Sequence, residues 1–187
     1  ASCEYFVWLS DDDYWESTFL EENVKILDSK SDIVGSIGIV KYLTESNDDK
    51  NNTQKFKDKF RDKNSNFKSY RHVATVGGSY FKKARFYLRF NQASFIYAIF
   101  RTEKLKISLV HNIFVSWDYA LILNIIKFGD LHVLDEVLAY RDTEGVTSMK
   151  SMIDSLKTQK LGFFKTYFPY ITYTIWCLKN LGLKNFI

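Results

Sequence analysis

Apolar positions along this chain follow two periods, and the changes between them mark the elements. Tyr5–Leu9 is an unbroken apolar run that stops at Ser10; its length and composition predict a strand buried on both faces. The spacing then becomes helical. Leu20, Val24 and Leu27 share one face of a predicted helix over Ser17–Asp28, with Ser17 as N-cap and Glu21 and Glu22 in the early turns. Ile33–Leu43 is rich in β-branched residues and predicts a second strand, in which Gly35 and Gly38 permit close approach of another backbone. Residues 44–69 break the pattern: they are polar and charged, without a sustained apolar period. They read as a mobile insertion, a solvated excursion or a lid, with a short helix near Phe56–Phe60.

Beyond the insertion the alternation resumes. A helix is predicted near Ser79–Arg89, where Lys82, Lys83, Arg85 and Arg89 interleave with Phe81, Phe86 and Tyr87. Ser94–Arg101 reads as a buried strand and is followed by a Thr102-capped helix to about Leu109. From Trp117, Leu121, Ile125 and Phe128 form an apolar helical face, widened by Ile122 and Ile126, with Gly129 as the stop residue. Leu131–Arg141 predicts two short strands around Asp135-Glu136. Strands alternating with helices define an α/β chain, a mixed sheet flanked by helices over residues 1–148. Residues 149–187 read as an amphipathic helical tail, dense in aromatics, with Lys160, Lys165, Lys179 and Lys184 spaced through it and Pro169 interrupting it. That tail fits a peripheral membrane contact, a helix docked on the domain, or the seam of a homodimer.

Composition narrows the class. A chain of 187 residues that is 46% hydrophobic suits one domain with a real core. The net charge of +4 is mild and no nucleic-acid motif is present, so no nucleic-acid partner is expected. The basic-aromatic stretch around Lys82–Arg89 reads first as a solvated face, then as a contact for an anionic acceptor or a membrane surface. Cys3 and Cys177 lie far apart without metal-ligand spacing, which predicts a reducing, cytoplasmic setting, with any membrane contact on the inner face. No apolar stretch approaches the roughly 20 residues that span a bilayer.

Three groups carry candidate chemistry. Asp11, Asp12 and Asp13 are adjacent anions that repel one another, directly before Tyr14 and Trp15. Something cationic must offset them, and at the end of a buried strand that is a ligand or a divalent metal. A solvated turn with capping carboxylates is the plainer reading. Asp118 stands at a predicted helix start, where the dipole stabilises an anion, as an N-cap or as a base. Arg141 ends a strand, where a guanidinium suits paired oxyanions or a surface ion pair.

The order of these landmarks resembles the family 2 glycosyltransferases, inverting enzymes of the GT-A fold. The stretch Ser10-Asp11-Asp12-Asp13-Tyr14-Trp15 is similar to that family's aspartate-rich signature, a strand end followed by an aromatic and a helix. Aligned on Trp15, the family's commonest first Asp falls on Ser10, a departure. Trp117-Asp118 is similar to the Glu-Asp pair that carries the family's general base, with Trp117 in place of Glu. Tyr140-Arg141, followed by a polar loop with Gly145-Val146-Thr147, is similar to a third family landmark. The resemblance implies a GT-A-like core that moves a sugar from a UDP- or GDP-sugar donor to a hydroxyl on a glycan, lipid-linked or protein acceptor. It implies Mn²⁺ or Mg²⁺ held by Asp12 and Asp13, donor contacts by Asp11 and Arg141, and Asp118 as the base. It also implies a preceding nucleotide-binding half, so the chain reads as part of a longer enzyme or as a truncated relative. The Gln-x-x-Arg-Trp motif of processive synthases is absent, which implies one sugar per encounter. A non-catalytic binding or assembly module that kept the fold is the alternative.

Overall fold

The computed structural model describes residues 2–10, 13–43, 67–68, 74–90, 93–111, 114–142 and 168–181. Asp11 and Asp12, most of the polar insertion, the Gly145-Val146-Thr147 loop and much of the tail lie outside the described residues.

Two long parallel strands organise the sheet. β3 (Ile33–Leu43) lies beside β6 (Asp130–Asp142), in register from Ile33 opposite Asp130 to Leu43 opposite Asp142. β5 (Ile99–Arg101) pairs antiparallel with β3 at Gly35 and Ser36, and β1 (Tyr5–Phe6) pairs antiparallel with β5. β2 (Tyr14–Trp15) closes the other edge against β6, giving the order β1-β5-β3-β6-β2, while β4 (Phe67–Lys68) pairs with the end of β3. The chain is therefore α/β with a mixed sheet, in which β1, β3 and β6 point the same way. A parallel pair requires a long crossover, and the helices between β3 and β6 occupy it.

Those helices are α2 (Tyr80–Phe90), α3 (Thr102–Ser108) and α4 (Trp117–Ile125); α1 (Phe19–Ser29) precedes β3 and α5 (Ile171–Leu181) follows β6. α4 is apolar almost all round, with Ala120, Leu121, Ile122, Leu123 and Ile125 buried, so it runs through the core rather than across its surface. α5 lies against α4: the Tyr173 ring stands 6.3 Å from Tyr119 and 6.4 Å from Phe114, and Cys177 and Leu181 are buried in the same core. This part of the tail is a docked helix.

Several expectations are corrected. The first strand ends at Phe6, and Leu9 is 66% exposed, because β1 has only the three-residue β5 to pair with before the chain turns away. The inward stripe of α1 is Phe19, Asn23 and Leu27, and Leu20 is exposed. Asn23 is tolerated there because its amide donates to the Phe19 carbonyl at 2.8 Å while its oxygen accepts from the Ser36 hydroxyl at 2.8 Å. Ser94–Arg101 is not a single strand: Ala93–Tyr97 forms a 3₁₀ helix before β5, and a buried apolar run is compatible with either form. Leu131–Arg141 is one strand rather than two. Pairing passes from Gly38–Leu134 to Ile39–Val137, so Asp135 and Glu136 leave as an exposed bulge while β3 holds both sides. Gly129 does not stop α4, which ends at Ile125. It lets β6 begin against the Asp32 carbonyl, which accepts the Asp130 N–H at 2.9 Å.

Candidate functional site at the carboxyl end of the sheet

Strand direction decides where Asp13 lies. The chain leaves the carboxyl end of β1 and enters β2 beside the carboxyl end of β6, with Tyr14 opposite Tyr140. This connection, which carries Asp13, reaches the end of the sheet where open α/β folds bind ligands. Its flanks are close in space, since the Asp13 N–H reaches the Ser10 carbonyl at 3.5 Å. β2 is clamped firmly. Trp15 stacks on Phe19 at 4.2 Å between centroids, the Glu16 N–H donates to the Leu138 carbonyl at 3.0 Å, and the Tyr140 hydroxyl donates to Glu16 Oε1 at 2.9 Å.

Asp13 and Arg141 meet here. Arg141 Nε donates to Asp13 Oδ1 at 2.9 Å, and the Asp13 side chain is 2% exposed. Arg141 Nη2 donates to the Tyr97 hydroxyl at 2.9 Å, and its Cζ stands 3.7 Å from the Tyr97 ring centroid. The guanidinium is thus fixed from three directions, by a charge-assisted hydrogen bond, a neutral one and a ring face. One of the three adjacent carboxylates has its charge offset by a cation of the protein itself. A buried carboxylate engaged in this way suits anchoring the loop better than gripping a hydrated cation. Among the described residues no group of three or more His, Cys, Asp or Glu side chains is arranged to hold a metal ion. Asp11 and Asp12, whose carboxylates are the hard oxygen donors that Mg²⁺ and Mn²⁺ prefer, fall outside that set.

Asp118 occupies the first turn of α4, entered through Ser116 in a left-handed conformation with φ of 68°. Burial raises its carboxyl pKa above the ordinary value, opposed by hydrogen bonds from the Tyr119 and Asp118 backbone N–H groups. A carboxylate raised in this way is a stronger base than a solvated one. Its neighbour Trp117 meets Trp8 edge-on, with centroids 6.2 Å apart, and Trp8 also packs against Phe6 at 4.7 Å and Phe100 at 6.1 Å. Trp8 lies on the connection that leads to the acid cluster.

The sequence-predicted residues therefore stand as follows. Asp13 and Arg141 are in direct contact. Trp117, next to Asp118, meets Trp8, whose other partner Phe100 lies opposite Gly35 near the amino end of β3. Asp11 and Asp12 lie outside the described residues. Tyr97 and Trp8 were not singled out from sequence. Tyr97 sits inside a buried apolar run, and nothing local distinguishes it from its neighbours. Trp8 stood within the expected strand, where an aromatic is ordinary. Elsewhere, an open cleft of about 420 Å³ is lined by Cys3, Glu4, Arg101, Thr102, Glu103 and Lys106. It lies at the amino end of β1, and no candidate residue lines it.

No protein-family model matches the chain, and no curated protein matches it. Among the described residues, no helix is long and apolar enough to cross a membrane.

Proposed function

We propose that this chain forms the metal- and base-bearing part of an inverting, nucleotide-sugar-dependent glycosyltransferase with a GT-A-like core. The observation that supports this most directly is the Trp8–Trp117 contact at 6.2 Å, because it joins the approach to the acid cluster with the helix turn that carries Asp118. A single in-line displacement needs both at one cleft.

In this reading Asp118 accepts the proton of the acceptor hydroxyl as its oxygen attacks the anomeric carbon. The bond from that carbon to the diphosphate breaks on the opposite face, and its electron pair leaves with the nucleoside diphosphate. The raised pKa of Asp118 favours proton uptake at that moment. Asp12 would hold Mg²⁺ or Mn²⁺, which when bound stabilises the leaving diphosphate as a Lewis acid. Asp11 would face the ribose and sugar. Asp13 takes a different part from the one its place in the motif implies. Paired with Arg141, it anchors the loop to the end of β6. Arg141, held by Asp13 and Tyr97, keeps a fixed positive charge beside the diphosphate.

The test is thermal stability of the full-length protein, with any nucleotide-binding half that precedes this chain, in Mn²⁺ and UDP or GDP. A ligand that binds only the folded form raises the melting temperature. The expected result is a rise that needs both metal and nucleotide and is lost in Asp12→Ala. Asp118→Asn should keep that rise and abolish sugar transfer. No rise with any nucleotide would remove the enzyme reading and leave a binding or assembly module.

A further inference from the structure

The cleft at the amino end of β1 carries groups that the sugar-transfer reading leaves unused. Its volume is about 420 Å³, and Cys3, Glu4, Arg101, Thr102, Glu103 and Lys106 line it. Its two walls are pinned together. Tyr5 pairs with Arg101 across β1 and β5, and the Thr102 N–H donates to the Glu4 carbonyl at 2.9 Å. Cys3 is thus one residue from a fixed point, and it is exposed.

Thr102 sets this cleft apart from an ordinary surface hollow. The residue is 5% exposed, and its Oγ1 is buried without a hydrogen-bond partner. A buried hydroxyl that bonds to nothing costs stability, and such groups are few in folded proteins. A polar ligand seated against Thr102 removes that cost.

The charges of the lining define the ligand. Arg101 is engaged by backbone: its Nε donates to the Ile33 carbonyl at 3.0 Å, and its Nη2 donates to the Leu27 and Lys30 carbonyls. Glu103 pairs with Lys104 at 3.1 Å. Glu4 and Lys106, both exposed, put one anion and one cation on the same cleft. A ligand of a single sign meets a like charge there, whereas a zwitterion meets an opposite charge at each end. Among the described residues no group of acids and thiols is arranged to hold a metal ion, so the Cys3 thiol is left as a nucleophile.

We propose that Cys3 is a thiolation site, served by a cleft that takes a zwitterionic amino-acid disulfide, of which cystine is the simplest. The ammonium group lies at Glu4, the carboxylate at Lys106, and the Thr102 hydroxyl donates to that carboxylate. The Cys3 thiol gives its proton to water, and the thiolate attacks one sulfur of the disulfide. The S–S bond breaks, and its electron pair leaves with the other half as a thiolate. Cys3 ends as a mixed disulfide and one amino-acid thiol is released, so the disulfide itself is the only oxidant. This assignment stands apart from the sugar-transfer reading, and either can fail without the other.

The experiment is disulfide exchange on the full chain at neutral pH, read by mass spectrometry of the peptide that carries Cys3. Four small disulfides are compared: L-cystine, cystamine with cationic ends, dithiodiglycolate with anionic ends, and neutral 2-hydroxyethyl disulfide. Each rate is divided by that of the same disulfide with the chain unfolded in urea, which removes the cleft and leaves the intrinsic chemistry. On this scale cystine is expected to react about tenfold faster than the neutral disulfide, the gain of a cleft that gathers a charge-matched reactant. Glu4→Gln and Lys106→Gln should each lower that advantage by about threefold or more. Thr102→Val, of similar shape, should lower it too while the melting temperature holds or rises, because an unpaired buried hydroxyl is lost. Equal scaled rates for cystine and the neutral disulfide overturn the proposal. So does an advantage for cystamine or dithiodiglycolate that matches that of cystine, which marks a site for one sign of charge. A cystine advantage that survives both Lys106→Gln and Thr102→Val unchanged overturns it as well.

Discussion

The buried Asp13 carboxylate accepts the Nε–H of Arg141 at 2.9 Å, across 128 residues of sequence. This pair ties the loop after β1 to the carboxyl end of β6. It also gives Arg141 a structural duty that precedes any contact with ligand.

Removing one partner should be costly. Arg141→Ala leaves a buried charge without its cation, a loss of about 3 kcal/mol by analogy with broken buried pairs. The midpoint of urea unfolding reads this. Arg141→Lys should recover only part of it, because an ammonium cannot lie flat on Tyr97 while bonding Asp13. In a double-mutant cycle, Asp13→Asn combined with Arg141→Ala should cost less than the two single losses added together. Simple additivity would show that the pair contributes nothing as a pair.

Asp118 makes a prediction about pH. Its carboxyl pKa is higher in the folded chain than its unfolded value near 3.8. Between those two values the folded state binds more protons, so stability falls as pH rises through the folded pKa. The penalty for the buried charge is fully present at neutral pH and absent below about pH 4. Asp118→Asn should therefore melt at least as high as the parent at pH 7, by up to about 2 °C more, with the gain vanishing in acid. A variant less stable at neutral pH would mean that the backbone N–H bonds to the carboxylate outweigh its burial.

Glycines in and beside β3 and β6 should rank by what an added methyl meets. At Gly35 a Cβ would stand 2.8 Å from Leu131 Cδ2 and from the Phe100 ring, side-chain atoms rather than backbone. At Gly38 it would stand 2.7 Å from Leu138 Cβ, which is fixed by the strand. At Gly129 it would run into the Asp32 backbone carbonyl, which bonds the Asp130 N–H. Ala substitutions should destabilise in that order, from about 1 kcal/mol to about 3 kcal/mol or more. Thermal melts of the three variants settle the ranking.

The two cysteines should differ in reactivity. Cys3 is exposed, whereas burial raises the Cys177 thiol pKa, partly countered by its hydrogen bond with Tyr173. The thiolate is the reactive form, so a thiol reagent at neutral pH should label Cys3 quickly and Cys177 only on unfolding. Rapid labelling of Cys177 in the native protein would show that α5 leaves its seat on α4.

How much of this was legible beforehand depended on how local each signal was. Ile33–Leu43 reads as a strand and is β3 to the residue, because a β-branched run is written in consecutive positions. The α4 start at Trp117, with Asp118 in its first turn, is likewise local. Signals with two local solutions were resolved only by partners. The apolar run before Arg101 became a 3₁₀ helix and a short strand, and Tyr5–Leu9 kept only two strand residues because β5 offers no more. Asp135-Glu136, which looks like a break, is absorbed as a bulge because β3 pairs on either side of it.

The chain's own order of residues thus determined the strand Ile33–Leu43, the helix start at Trp117 and the presence of three acidic neighbours after β1. Which of those acids meets Arg141, and that Tyr97 lies beneath the guanidinium, only the folded sheet decided. Local pattern is set by backbone sterics and side-chain periodicity over a few residues, whereas a partner 128 residues away is chosen by strand order and register.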